Sequence, residues 1–151
     1  MFQLRRILHP TDFSPHSQYA YEIATELAAR HQAALLVLHV VETLGPENVT
    51  YGEAVSQPQP EGYRGRLWDD LRRQTPPLRP EVRAQQLLAE GDTVAEIKRV
   101  ADEQHCDLIV MGTHGHTGLL HLLMGSTTER VIRVAPCPVL TAKLPHTPPD
   151  S

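Results

Sequence analysis

The stretch CDLIVMGTHGHTGLLHLLMGSTTERVIRVA, residues 106–135, carries three structural signals in immediate succession. DLIVM at 107–111 is a short apolar run, typical of a strand that is buried on both faces of a parallel sheet. Four of the chain's nine glycines then fall within 112–125. Ser126-x-x-Glu129 follows as a capping box, which predicts that a helix begins there. Together these signals predict one strand–loop–helix unit of a parallel α/β sheet.

The spacing of the glycines differs from the two familiar phosphate-binding motifs. No Gly-Lys-Ser/Thr occurs, which excludes a P-loop, and Gly112, Gly115 and Gly118 are spaced G-x-x-G-x-x-G rather than G-x-G-x-x-G. The physical logic is similar, because glycines let backbone N–H groups approach an anion and a helix N-terminus adds free donors. A purely structural interpretation stays open, since Gly112 could simply end a strand and Ser126 simply cap a helix. Their combination favours phosphate binding.

The alternation of strands and helices extends from this stretch toward both ends of the chain. Ser14-Pro15 has the residue types of an N-cap and a first helical residue, and apolar residues continue at helical spacing to residue 31. Thr93-x-x-Glu96 is a second capping box. The predicted strands cover 4–9, 34–41, 82–89 (at a sheet edge), 107–111 and 139–141, and the predicted helices start at Pro15, near Tyr63, and at the caps Thr93 and Ser126.

This order of elements predicts a single α/β domain, with a parallel sheet covered by helices on both faces. Ligands of such folds bind beyond the carboxyl ends of the strands, where the strand order reverses. The turn at 9–14 and the segment from Gly112 onward are therefore the first places to expect a site. We expect the domain to cover 1–143, with a long loop at 42–60 and a disordered tail at 144–151.

The composition excludes several classes of protein. The 151 residues include 13 prolines and carry a net charge of −4, but Leu, Ile, Val and Phe make up about a quarter of the chain, above the roughly 20% typical of disordered chains. No apolar run approaches the roughly 18 residues of a membrane span, and the start does not resemble a secretory signal. Two cysteines do not make a disulfide framework, which favours a cytoplasmic protein. The charge balance indicates neither nucleic acid nor membrane as a partner.

The sequence also resembles a known family. ILHPTDFS at 7–14, LVLHVV at 36–41 and the block at 106–143 resemble the universal stress proteins. Gly112, Gly115, Gly125 and Ser126 fit the family pattern G-x2-G-x9-G-[ST], which marks its ATP-binding branch. The resemblance covers nearly the whole chain, and it implies a Rossmann-like fold of the adenine nucleotide alpha-hydrolase type, with five parallel strands in the order 3-2-1-4-5.

The resemblance further implies roles for individual residues. The acidic residue after the first strand would lie near the ribose and adenine, a backbone group on the second strand would contact adenine, and the glycine loop and last helix would receive the phosphates. The implied nucleotide-binding residues are Pro10, Thr11, Asp12, Val40, Met111, Gly112, His114, Gly115, Gly125, Ser126 and Thr127. The implied ligand is ATP, with Mg²⁺ held mainly through the phosphates. Family members commonly form homodimers through the last strand, here Val139, Leu140, Thr141 and Ala142.

The expected function is that of a stress-response regulator rather than a fast enzyme, because no general base or arginine clamp is evident. The alternatives are a slow ATP-hydrolysing enzyme, with His114 as its one catalytic candidate, and a dimeric adaptor that binds no nucleotide. A phosphorelay receiver would need paired carboxylates after the first strand, where Asp12 stands alone.

Other reactive side chains favour structural interpretations. His114, His116 and His121 invite a zinc site, but zinc usually needs three or four ligands at defined geometry, and two histidines at i, i+2 without a nearby cysteine or carboxylate are weak evidence for one. His39 is expected to be a hydrogen-bonded core histidine. Cys106 and the later Cys137 are expected at the same end of the sheet, as buried thiols rather than a redox pair.

Overall fold

The computed structural model describes residues 1–42, 62–114 and 124–145, and within them strands and helices alternate. Each predicted strand is found within two residues of its predicted bounds. The strands are β1 (Arg6–Pro10), β2 (Ala34–Glu42), β3 (Ala84–Gly91), β4 (Leu108–Gly112) and β5 (Val139–Ala142), and the helices are α1 (Pro15–His31), α2 (Tyr63–Gln74), α3 (Thr93–Glu103) and α4 (Ser126–Val134).

The five described strands form one parallel sheet in the order β3-β2-β1-β4-β5. This confirms the predicted fold class and strand order, including the position of β3 at an edge. The chain runs from β1 to β2 on one side and returns to β4 on the other side of β1. The strand order therefore reverses between β1 and β4, whose carboxyl ends open at the same edge of the sheet.

Helices cover both faces of the sheet, as predicted. Ile7 and Leu8 of the central strand are both fully buried, and because successive side chains of a strand point to opposite faces, they belong to two separate cores. The core around Ile7 contains residues of α1 and α2, and the core around Leu8 contains residues of α3 and α4. No helix in the described parts of the chain is long and apolar enough to cross a membrane.

The helix starts agree with the sequence prediction at α1 and differ by one residue at α3 and α4. Ser14 caps α1, where its hydroxyl oxygen accepts from the Ser17 N–H at 3.2 Å. The predicted cap of α3, Thr93, is wrong, because the carboxylate of Asp92, one residue earlier, accepts from the Ala95 N–H at 2.9 Å. The predicted cap Ser126 is also wrong, since Ser126 is the first helical residue of α4 and Gly125 is the N-cap.

Some predicted segments fall outside the described residues. Residues 43–61, 115–123 and 146–151 are not described, and they contain most of the predicted loop at 42–60, the middle of the glycine-rich stretch, and most of the predicted tail at 144–151.

Candidate functional site

A cavity of about 330 Å³ opens at the carboxyl ends of β1, β2 and β4. Its volume lies at the lower end of the range of small-molecule sites. Every sequence-predicted site residue that the structure describes lines this cavity: Pro10, Thr11, Asp12, Val40, Met111, Gly112, His114, Gly125, Ser126 and Thr127. The eleventh, Gly115, lies outside the described residues. The sequence motifs therefore indicated residues that the fold brings to one place.

The turn after β1 is held by a hydrogen-bond network centred on Thr11. Its N–H donates to the Leu38 carbonyl at 2.8 Å, and its hydroxyl oxygen accepts from the Phe13 N–H and the Ser17 hydroxyl. Phe13 adopts a left-handed φ of 65°, a conformation that costs a non-glycine residue about 1–3 kcal/mol and clusters at functional sites. The Ser14 N–H donates to Asp12 Oδ1 at 3.0 Å, which fixes the carboxylate at the cavity wall.

His39 on β2 supports the same turn. Its Nδ1 lies 2.8 Å from the Thr11 carbonyl oxygen, and because a carbonyl only accepts, the ring Nδ1–H is the donor. The ring packs against Phe13 at a centroid distance of 4.5 Å. The predicted hydrogen bond is confirmed, but the predicted core position is not, since His39 is partly exposed and lines the cavity.

The ends of the connection between β4 and α4 are tied to each other. The Gly125 N–H donates to the Thr113 carbonyl at 2.7 Å, and the Thr128 hydroxyl donates to the Gly112 carbonyl at 2.9 Å. The Thr113 N–H in turn donates to the Ala142 carbonyl of β5 at 3.0 Å. These bonds fix the first turn of α4 beside the end of β4, against the cavity.

The N-terminus of α4 has backbone donors to offer an anion. An α-helix leaves its first N–H groups without intrahelical partners and has a partial positive charge at that end. Ser14 and Asp92 cap α1 and α3, whereas α4 has no side-chain cap in the described part of the chain, because its N-cap is Gly125. Residues 126–128 thus present backbone donors and hydroxyls at the cavity wall.

The glycines at both ends of this connection have packing roles. A Cβ on Gly112 would lie 2.9 Å from the carbonyl carbon of His16 and 3.0 Å from its Cβ. A Cβ on Gly125 would lie 3.3 Å from the Thr113 carbonyl oxygen. The structural interpretation that the sequence left open for Gly112 therefore explains its missing side chain, since α1 crosses directly over β4. A backbone contact from Gly112 to a ligand stays a prediction.

Two histidines lie together at this end of the cavity. The rings of His16, in the first turn of α1, and His114 have centroids 5.1 Å apart. His114 Nδ1 is hydrogen-bonded to Thr113 Oγ1 at 2.9 Å. Burial and the neighbouring His114 lower the pKa of His16, while the negative charge of Asp12 opposes this shift. Sequence reasoning missed His16, because it lies about 100 residues away from the glycine motif.

The opposite end of the cavity lies between β2 and α3. Val40, Leu38 and Ile97 line it with apolar groups, and the Thr93 hydroxyl donates to Glu42 Oε1 at 2.7 Å. The sequence did not assign Glu42 or Thr93 to a site. The one signal that could have indicated a site was their position, since Glu42 lies at the carboxyl end of a strand and Thr93 lies at the start of a helix.

Metal and thiol chemistry find little support among the described residues. No group of three or more His, Cys, Asp or Glu there is placed to hold a metal ion, and two of the three histidines of the zinc interpretation, His116 and His121, lie outside the described residues. Cys106 is a free thiol whose pKa burial raises to about 12, and the pKa of the free thiol of Cys137 is also raised by burial. Such thiols are poor nucleophiles at neutral pH.

The chain is similar to known proteins over nearly its whole length. The family model described as "Universal stress protein family" matches residues 3–143. The chain belongs to the universal stress protein family. Universal stress protein A homolog 1 of Coxiella burnetii is 34% identical over 139 residues, which cover 90% of this chain and 94% of that protein. The structure of universal stress protein UspA from Lactobacillus plantarum superposes with a TM-score of 0.73 at 26% identity, over 93% of this chain and 98% of the other.

Two more distant universal stress proteins share the fold and were solved with ligands. One is a complex with cAMP, with a TM-score of 0.67 at 22% identity over 93% of this chain and 98% of the other. The second, from Archaeoglobus fulgidus, is a complex with dAMP, with a TM-score of 0.63 at 20% identity over 95% of this chain and the whole of the other. Both of those proteins bind adenine nucleotides.

Proposed function

We propose that this universal stress protein binds ATP in the cavity at the carboxyl ends of β1, β2 and β4, and that it acts as a stress-response regulator. The observation that carries the proposal is the first turn of α4, which lacks a side-chain cap in the described chain and lines the same cavity as Asp12 and Val40. A helix N-terminus offers an anion both hydrogen-bond donors and a favourable dipole.

The two ends of the cavity differ in a way that suits a nucleotide. One end has the α4 amides, the hydroxyls of Ser126 and Thr127, and His114, which together suit a polyphosphate. The other end has the apolar groups beside Val40, which suit a base. Asp12 lies on the turn between them, where a carboxylate can accept hydrogen bonds from ribose hydroxyls. The adenine nucleotides bound by two proteins of the same fold support adenine as the base.

Magnesium would be held chiefly by the phosphates. Mg²⁺ prefers octahedral oxygen ligands and is commonly bound through one or two carboxylates together with substrate phosphates. Asp12 is the one carboxylate on the β1 turn that lines the cavity, and it already accepts a hydrogen bond from Ser14. The donor set therefore fits a metal that arrives with ATP rather than one held by the protein alone.

Slow or absent hydrolysis is part of the proposal. Phosphoryl transfer depends on cationic groups at the transferring phosphate and on a positioned base or water. The described residues that line the cavity include neither lysine nor arginine. His114 remains the one candidate for catalysis, in an alternative in which the protein hydrolyses ATP slowly.

Isothermal titration with Mg-ATP and a single-turnover hydrolysis assay test the proposal together. We expect binding with negligible turnover, and weaker binding by Asp12→Asn but not by Asp102→Asn, a matched change on the exposed end of α3. Turnover that His114→Ala abolishes would favour the enzyme. The absence of any binding in the presence of magnesium would leave the non-nucleotide adaptor as the better function.

A homodimer formed through β5 belongs to the same proposal. The carbonyls of Pro138 and Ala142 accept from the N–H groups of Ile109 and Thr113. The backbone groups of Thr141 point the other way, toward the side of β5 that has no neighbouring strand in the described sheet. Ile132 and Val134 of α4 are large apolar residues that are about two-fifths exposed. An open strand edge and exposed apolar residues are both features that suit pairing with a second copy.

A further inference from the structure

His16 and His114 meet at the end of the cavity that the α4 N-terminus lines. They come from different elements, and they are adjacent because Gly112 lets the backbone of α1 lie directly against the end of β4. The ring centroids are 5.1 Å apart, with the ring planes inclined at 52°. His114 lines the cavity, and the His16 ring packs against His114, so a charge on the pair acts on an anion bound in the cavity at short range.

Burial and the neighbouring His114 disfavour a positive charge on His16. His16 lies in the first turn of α1 and His114 lies close to the N-terminus of α4, so both are near the positive end of a helix dipole. A charge on one ring repels a charge on the other. His16 Nδ1 is buried and has no hydrogen-bond partner among the described residues. Asp12 and His114 are the titratable groups of the described chain that act on His16, and Asp12 alone favours its charged form.

An anion at the α4 N-terminus would reverse this balance. A polyphosphate brings several negative charges close to both rings and compensates both the repulsion between them and the helix dipoles. Resting on the proposed function, we propose that His16 and His114 form the proton-accepting end of the nucleotide site, and that binding of ATP is accompanied by uptake of a proton from solvent onto this pair. The step is reversible and involves no covalent change. His16 thus acts on the bound nucleotide through its charge and through His114, and the pair makes ATP affinity depend on pH.

The sign of the effect follows from linkage. When binding takes up a proton, the association constant rises as pH falls, by at most tenfold per pH unit for each proton. The terminal phosphate of ATP also titrates near neutral pH, with a pKa of about 6 for a phosphate monoester. The test therefore compares proteins with each other at each pH, so that the titration of the ligand cancels.

The experiment uses ATP with magnesium, wild-type protein, His16→Asn, His16→Asn/His114→Asn and the control His31→Asn. His31 lies exposed in the last turn of the same helix, far from the cavity. Calorimetric titrations at pH 7 in two buffers with different ionisation enthalpies give the number of protons taken up. We expect wild type and His31→Asn to take up about one more proton than the double variant, with an intermediate value for His16→Asn. The ratio of the association constants of wild type and His16→Asn should be about five- to tenfold larger at pH 6.0 than at pH 7.5.

A second measurement separates a role in binding from a role in folding. The ring-proton resonances of His16 should titrate below the ordinary midpoint of about 6.5 in free protein and above it when ATP is bound. Equal proton uptake by wild type and His16→Asn, while both bind ATP, would overturn the inference and leave the proposed function intact. Failure of wild type to bind ATP at pH 6.0 would instead overturn the proposed function itself.

Discussion

Ser126→Glu is expected to weaken ATP binding while leaving α4 intact or more stable. Ser126 is the exposed first residue of α4, and it lines the cavity. A carboxylate in the first turn of a helix interacts favourably with the helix dipole, typically by about 0.3–1 kcal/mol. The same carboxylate would occupy the place where the proposal puts a phosphate. The variant is therefore expected to keep or raise the stability of the fold while it lowers the affinity for ATP.

The size of the binding loss follows from Coulomb's law. Two unit charges about 5 Å apart, at an effective dielectric constant of about 20, repel by about 3 kcal/mol. Because residue 126 is exposed and salt screens such charges, we expect a loss of about 1.4–2.7 kcal/mol, or roughly 10- to 100-fold weaker binding. The melting temperature should stay the same or rise by up to about 4 °C.

Calorimetric titration and thermal unfolding measure the two effects. The control Gln85→Glu adds the same charge at an exposed position on β3, near the amino end of the sheet, and should leave ATP affinity unchanged. Undiminished ATP binding by Ser126→Glu would refute the idea that phosphates lie at this helix terminus. A large fall in melting temperature would instead show that Ser126 has a structural role that the exposed side chain does not reveal.

Three further predictions concern packing, protonation and assembly. Gly112→Ala should destabilise the protein by about 1–3 kcal/mol in urea unfolding, because its Cβ would lie 2.9 Å from the backbone of His16. The control Gly65→Ala, whose Cβ would have nothing within 4 Å, should stabilise α2 by up to about 1 kcal/mol. Equal effects of the two substitutions on the free energy of unfolding would contradict the packing argument. Burial lowers the pKa of His9 to about 4, so between about pH 6.5 and 4 the unfolded chain binds a proton that the folded chain does not. The free energy of unfolding should therefore decrease by up to about 3 kcal/mol as pH falls from about 6.5 to 4. A His9 ring resonance that titrates near 6.5 in the folded protein would disprove this. Thr141→Pro removes a donor from the outer edge of β5, and light scattering should show a dimer in wild type and monomers in the variant; a dimer that persists in the variant would place the interface elsewhere.

The architecture could be predicted because local signals agreed with one another. Short apolar runs alternate with capped amphipathic segments, and the one chain order βαβαβαβαβ limits the possible sheets to a few. The strand order 3-2-1-4-5 came from the family resemblance rather than from the alternation itself, and the pairing of β1 with both β2 and β4 confirms it.

The details of the site were harder to predict because they depend on contacts between distant segments. The sequence shows that residue 112 is a glycine, but not that α1 occupies the space that a side chain there would need. His16 carries no motif, and only the crossing of α1 over β4 brings it to His114. The one-residue errors at the caps have a local cause, since a Ser or Thr three residues before a Glu resembles a capping box even when Asp92 or Gly125 takes the cap position.

The hydrogen bond from Gly125 to Thr113 has a consequence for how the β4–α4 connection can change. This bond joins the two ends of the connection, so the position of α4 depends on the contact between Gly125 and Thr113 and not on the number of residues between them. Lengthening a closed loop costs little, about 0.6 kcal/mol for each doubling of its length. The terminus of α4 should therefore keep its place beside β4 when residues are inserted between Gly115 and Gly125, because the bond between Gly125 and Thr113 does not depend on the length of the connection.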